Sequence, residues 1–116
     1  MKILLIEPGE VPRPAEIPST LEAMQETVGG SIQAVYPFDE PVALVCNEEG
    51  KLYGLPLNRS LRDPDTRTIC DIIAGTFFLC AAPPDSEHFE SLTDAQIERY
   101  SERFCAVEYF LGGDER

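Results

Sequence analysis

A chain of 116 residues, 43% hydrophobic and 26% charged, has the material for one core, and no apolar run approaches membrane-spanning length. Twenty-one Asp and Glu against nine Lys and Arg give a formal net charge of −12, a surface that repels nucleic-acid phosphates and anionic lipid. Cys46, Cys70, Cys80 and Cys105 form no C-x-x-C pair and His88 is the sole histidine, so neither a zinc site nor a secreted disulfide framework is expected.

Residues 2–7 begin the chain with an apolar run that Glu7, Pro8 and Gly9 stop before any signal-peptide core forms. The run reads as the buried first strand of a cytoplasmic protein. Pro8, Pro12, Pro14 and Pro18 forbid a helix over 8–18 and leave a turn with an edge strand. Ser19-x-x-Glu22 has the spacing of a capping box and predicts a helix starting at Ser19. Leu21, Met24 and Val28 form its apolar stripe, and Gly29-Gly30 ends it.

Residues 31–36 and 42–47 read as strands, and Asn47-Glu48-Glu49-Gly50 as a turn into a returning strand at 51–53. Residues 54–67 read as a long loop. Residues 68–82 are apolar with Gly75 in the middle, which suits two strands or one bulged strand. Thr93-x-x-Gln96 is a second capping box, with Leu92 and Ile97 at staple spacing. Ile97, Tyr100, Phe104, Val107 and Leu111 extend one stripe to a stop at Gly112-Gly113. The expected fold is a single α+β domain over 1–116: a mixed, largely antiparallel sheet of about five strands with two amphipathic helices on one face.

No residue set for catalysis stands out. His88 lies in an acidic linker without a strand-turn-helix frame around a nucleophile. No glycine pattern cradles a phosphate, because Gly29-Gly30 follows a helix instead of opening one. Cys105 has acidic neighbours that disfavour its thiolate. No cofactor or metal is therefore expected. Arg59, Arg62 and Arg67 concentrate positive charge in an otherwise acidic chain. Asn58, Arg59 and Arg62 form the candidate ligand or partner site, since planar amide and guanidinium donors suit carboxylates, phosphates and amides. The alternative is that these side chains pair with Asp63, Asp65 and Asp71 and pin the loop onto the sheet.

Several stretches in order resemble a bacterial family catalogued as domain of unknown function number 3846. They are Leu21-Glu22-Ala23-Met24-Gln25 with Val28-Gly29-Gly30, Ala34-Val35-Tyr36, and Val45-Cys46-Asn47-Glu48-Glu49-Gly50-Lys51. Gly54-Leu55-Pro56 with Asn58-Arg59, and Asp71-Ile72-Ile73-Ala74-Gly75-Thr76-Phe77, complete them. The resemblance implies a fold and a setting in phages, plasmids and other mobile elements, and carries no activity with it. The resulting expectation is a small non-enzymatic accessory or interaction domain of a mobile element. It would act on an unidentified protein partner without binding nucleic acid or membrane. The alternative is an acidic DNA mimic acting against a restriction enzyme or another DNA-binding enzyme.

Overall fold

The computed structural model describes residues 1–110. A five-stranded sheet has the order β2-β1-β7-β4-β3, built from β1 (Lys2–Ile6), β2 (Arg13–Glu16), β3 (Ile32–Val35), β4 (Val42–Asn47) and β7 (Phe77–Ala81). β5 (Leu57–Arg62) and β6 (Ile69–Ala74) pair separately as a two-stranded sheet. Helices α1 (Leu21–Val28) and α2 (Asp94–Arg103) complete an α+β fold. Every strand pairing is antiparallel, so the mixed component of the expected sheet is not present in the described residues.

The central strands bury both of their faces. Ile3, Leu5, Ala43, Val45, Phe78 and Cys80 pack with Val28 of α1. Leu4, Ile6, Val42, Leu44, Phe77 and Leu79 pack with Ile97 and Tyr100 of α2, Phe104 at its end, and Leu61 and Ile73 of the β5/β6 pair. The two helices therefore lie on opposite faces, not on one. The cause is the run of consecutive apolar residues in β1, β4 and β7. Successive side chains point to opposite sides of a strand, so an unbroken apolar run needs a cover on each side.

Local chemistry fixes the helix ends. Thr20, not Ser19, caps α1, its hydroxyl accepting from the Ala23 N–H at 3.1 Å. The third helical position is then Ala23, so Glu22 has no reciprocal bond to make and instead sits in the positive first turn. Gly29 ends α1 at φ 83°. Leu21 is 55% exposed, and the buried stripe is carried by Met24 and Val28. In α2 the predicted capping box is present in full: Gln96 N–H donates to Thr93 Oγ1 at 3.1 Å, and Thr93 N–H donates to Gln96 Oε1 at 2.9 Å. α2 is shorter than its stripe, ending at Arg103 with Phe104 as cap. Leu111 and Gly112-Gly113 lie outside the described residues. No helix among the described residues is long and apolar enough to cross a membrane.

Residues 51–53 form a turn and not the expected returning strand: β4 pairs with β3 and β7, and the next strand, β5, lies inside the segment read as a loop and pairs with β6. Gly50 lies where a Cβ would meet the Ala74 carbonyl oxygen at 2.8 Å, so the turn packs directly on β6. The apolar segment 68–82 divides at Gly75 (φ 83°) into β6 and β7, which join different sheets. All four cysteines are free. Cys46 and Cys80 are buried, and burial pushes the Cys80 thiol up to about 12, whereas Cys70 and Cys105 are exposed.

Candidate functional site

β5 is polar in sequence and buried in place. Leu57 pairs with Ala74 and Arg59 with Ile73, so Asn58 is an extra residue on β5, a β-bulge. The bulge breaks the alternation of inward and outward side chains, and Asn58, Arg59, Ser60 and Leu61 are all buried in succession. Asn58 and Arg59 are both 0% exposed.

Their polar groups are met inside the protein. The Asn58 amide donates to the carbonyls of Ile6 and Gly75, each at 2.9 Å. The Arg59 guanidinium donates to Asn58 Oδ1 (2.8 Å), Asn58 O (3.3 Å), Phe104 O (3.1 Å) and Glu10 O (2.7 Å). Phe104 caps the C-terminus of α2, where the helix dipole favours a cation. Burial lowers the Arg59 pKa from its ordinary value, and Glu108 opposes that shift. Asn58 and Arg59 thus tie β5 to the end of β1, the β6–β7 turn and the end of α2. The expected site is corrected for these two residues: they are inaccessible because the bulge turns them into the core. The partners are main-chain carbonyls and each other, not Asp63, Asp65 or Asp71.

Arg62, the third predicted residue, is exposed and donates to the Arg67 carbonyl at 3.1 Å. It lines a cleft of about 590 Å³ between the β5–β6 end and the segment after α2. Arg62, Arg67 and Arg103 supply its cations, and Leu61, Phe104 and Ala106 supply apolar surface. The Arg103 guanidinium lies 4.9 Å from the centre of the Phe38 ring, a cation–π contact, and no carboxylate among the described residues forms a salt bridge with it. Sequence reasoning placed Arg62 and Arg67 together and missed Arg103, which α2 brings in from 36 residues further along the chain.

Two carboxylates share the cleft, and each has other donors. Asp63 accepts from the N–H groups of Asp65 (2.8 Å) and Thr66 (3.0 Å), bonds that lower its pKa. Glu108 accepts from Ser60 Oγ at 2.7 Å and Ser60 N–H at 3.1 Å, closing the outer edge of β5. Four basic residues elsewhere among the described residues are ion-paired: Lys2 with Asp94 (3.0 Å), Arg13 with Glu7 (3.3 Å), Lys51 with Asp71 (2.8 Å), and Arg99 with Glu40. Among the described residues the remaining basic side chains are buried Arg59 and the three arginines of the cleft. Arg67 also has φ 65°, the one non-glycine residue in the left-handed region among the described residues.

His88 is exposed in the loop before α2, where its N–H donates to Ser86 Oγ at 3.2 Å. No curated protein and no solved structure matches the chain. A family model does match, over residues 1–105, and the chain belongs to that family, the domain of unknown function DUF3846.

Proposed function

We propose that this protein is a small non-enzymatic interaction domain that holds an acidic partner protein in the Arg62/Arg67/Arg103 cleft. The carrying observation is the distribution of positive charge. In a chain of net charge −12, the surface arginines without a described carboxylate partner converge on one cleft. Internal ion pairing would be the ordinary fate of arginines on so acidic a surface. Among the described residues these three arginines make no such pair, which leaves guanidinium donors for an external anion. The family resemblance supports a setting in a mobile element.

A photo-crosslinking residue at Pro64, on the cleft, tests this in the host that carries the protein. A crosslinker at Glu22 on exposed α1 serves as control. The expected result is a partner trapped from position 64, not from 22, and lost when Arg62 and Arg67 are both changed to Glu. Trapping that ignores the charge reversal would contradict the reading.

The large acidic excess favours a second reading, a DNA mimic. Mimicry predicts salt-sensitive displacement of DNA from a restriction enzyme, because the enzyme's basic groove would grip charge. The interaction-domain reading predicts no displacement at moderate salt.

A further inference from the structure

We infer that the cleft takes a phosphorylated side chain of its partner protein, with the phosphate held by Arg62, Arg67 and Arg103; this rests on the interaction reading above.

The protein's own carboxylates make the argument. Asp63 and Glu108 line the same cleft at a high effective concentration, yet neither forms an ion pair with its arginines. Asp63 is turned to its own loop's N–H groups and Glu108 to Ser60. An external monoanionic carboxylate would bring nothing that these two lack. A phosphate monoester brings about −1.5 to −2 charge and three acceptor oxygens, enough to engage several guanidinium forks at once. The apolar floor of Leu61, Phe104 and Ala106 offers surface to the side chain bearing the phosphate or to its neighbour. The volume, about 590 Å³, exceeds what a bare phosphate fills and lies in the range of sites that hold a ligand with a body.

The geometry of Arg67 is a second, independent observation. Its φ of 65° disfavours any side chain and favours glycine. The turn around it closes without the arginine side chain, through Arg67 N–H to Asp63 O (2.8 Å) and Asp63 N–H to Thr68 O (2.8 Å). An arginine at a position where the backbone prefers glycine points to a use for the guanidinium outside the turn.

The test titrates the intact protein with peptide libraries of fixed central phosphoserine, phosphothreonine or phosphotyrosine. The same libraries with the unphosphorylated residue or with Glu are run in parallel, as are inorganic phosphate and adenosine monophosphate. Binding is followed by amide chemical shifts and calorimetry. At least one phosphopeptide library should bind ten-fold or more tighter than its unphosphorylated and Glu counterparts, and more tightly than either small phosphate. That preference should vanish in the exposed double variant Arg62→Gln/Arg67→Gln, with its unfolding transition unchanged.

Equal binding of the Glu library would overturn the phosphate assignment and leave an acidic partner standing. Equal or tighter binding of adenosine monophosphate or inorganic phosphate would overturn the protein source. If no library binds while Pro64 still crosslinks a charge-dependent partner, the phosphate inference fails alone. If neither occurs, both readings fail.

Discussion

The Arg59 guanidinium donates to the side-chain oxygen of Asn58, its immediate neighbour, at 2.8 Å, and both residues are sealed from solvent. Adjacent residues of a regular strand point to opposite faces, so this pairing depends on the bulge at Asn58. No buried side-chain nitrogen or oxygen among the described residues lacks a partner, and this pair accounts for much of that satisfaction between the two sheets.

Removing either member leaves buried carbonyls without donors. Asn58→Ala and Arg59→Met should each cost about 2–4 kcal/mol in denaturant unfolding, because each orphaned buried polar group then carries its full desolvation penalty without a compensating hydrogen bond. The double variant should cost less than the sum, since each residue is partly the other's partner. Strict additivity would show that the two act separately.

Phe104 anchors the other side of the same junction. Its ring packs edge-on to Phe77 at 5.9 Å and to Phe38 at 6.2 Å, and its carbonyl receives Arg59. Phe104→Ala should cost about 3–5 kcal/mol. Glu102→Ala, on the exposed side of α2, should change stability by less than about 0.5 kcal/mol. Comparable losses from the two would mean that α2 presents a different face to the sheet.

A polar cluster joins Glu40 to α2. The Glu40 carboxylate accepts from Gln96 Nε2 (2.8 Å), Tyr100 Oη (2.9 Å) and Arg99. The Gln96 bond, with those from Tyr100 and Arg99, lowers the Glu40 pKa below 4.5 against the opposing effect of burial. A carboxylate with a depressed folded pKa adds stability above its unfolded pKa, and that stability is lost as pH falls through the folded value. Glu40→Gln should therefore be less stable at neutral pH and lose less stability than wild type below pH 4.5. Tyr100, pushed up to about 12 by burial and then by Glu40, acts at the other end. Its contribution is complete below pH 10 and declines as pH rises toward 12. Parallel pH–stability curves for wild type and Glu40→Gln would remove this cluster from the account.

Much of the frame is legible in the sequence because it is written locally. The Thr93–Gln96 box, the glycine after Val28 and the apolar runs of β1, β4 and β7 each announce their structure. The same runs call for a cover on each face, which the expectation of both helices on one face did not take into account. β5 was not. Leu57-Asn58-Arg59-Ser60-Leu61-Arg62 has the polarity of a loop, and distant acceptors, the carbonyls of residues 6, 10, 75 and 104 and the Glu108 carboxylate, make it a buried strand. Of the candidate site, Arg62 and Arg67 were visible as a charge concentration. Arg103 was hidden by distance along the chain, and the burial of Asn58 and Arg59 by a bulge with no local signature.

The cleft is the centre of the account, and Arg67 is where its cost and its use can be measured on one variant. Left-handed geometry at a non-glycine residue costs on the order of 1 kcal/mol, offset in part by the greater unfolded-state freedom of glycine. Arg67→Gly should leave stability unchanged or raise it by up to about 1 kcal/mol. The same variant should bind the partner trapped at Pro64 at least ten-fold more weakly. Unfolding and partner affinity measured together on Arg67→Gly are the most direct test. Weaker binding with undiminished stability is the predicted result, and full affinity, or a loss of several kcal/mol in stability, would contradict it.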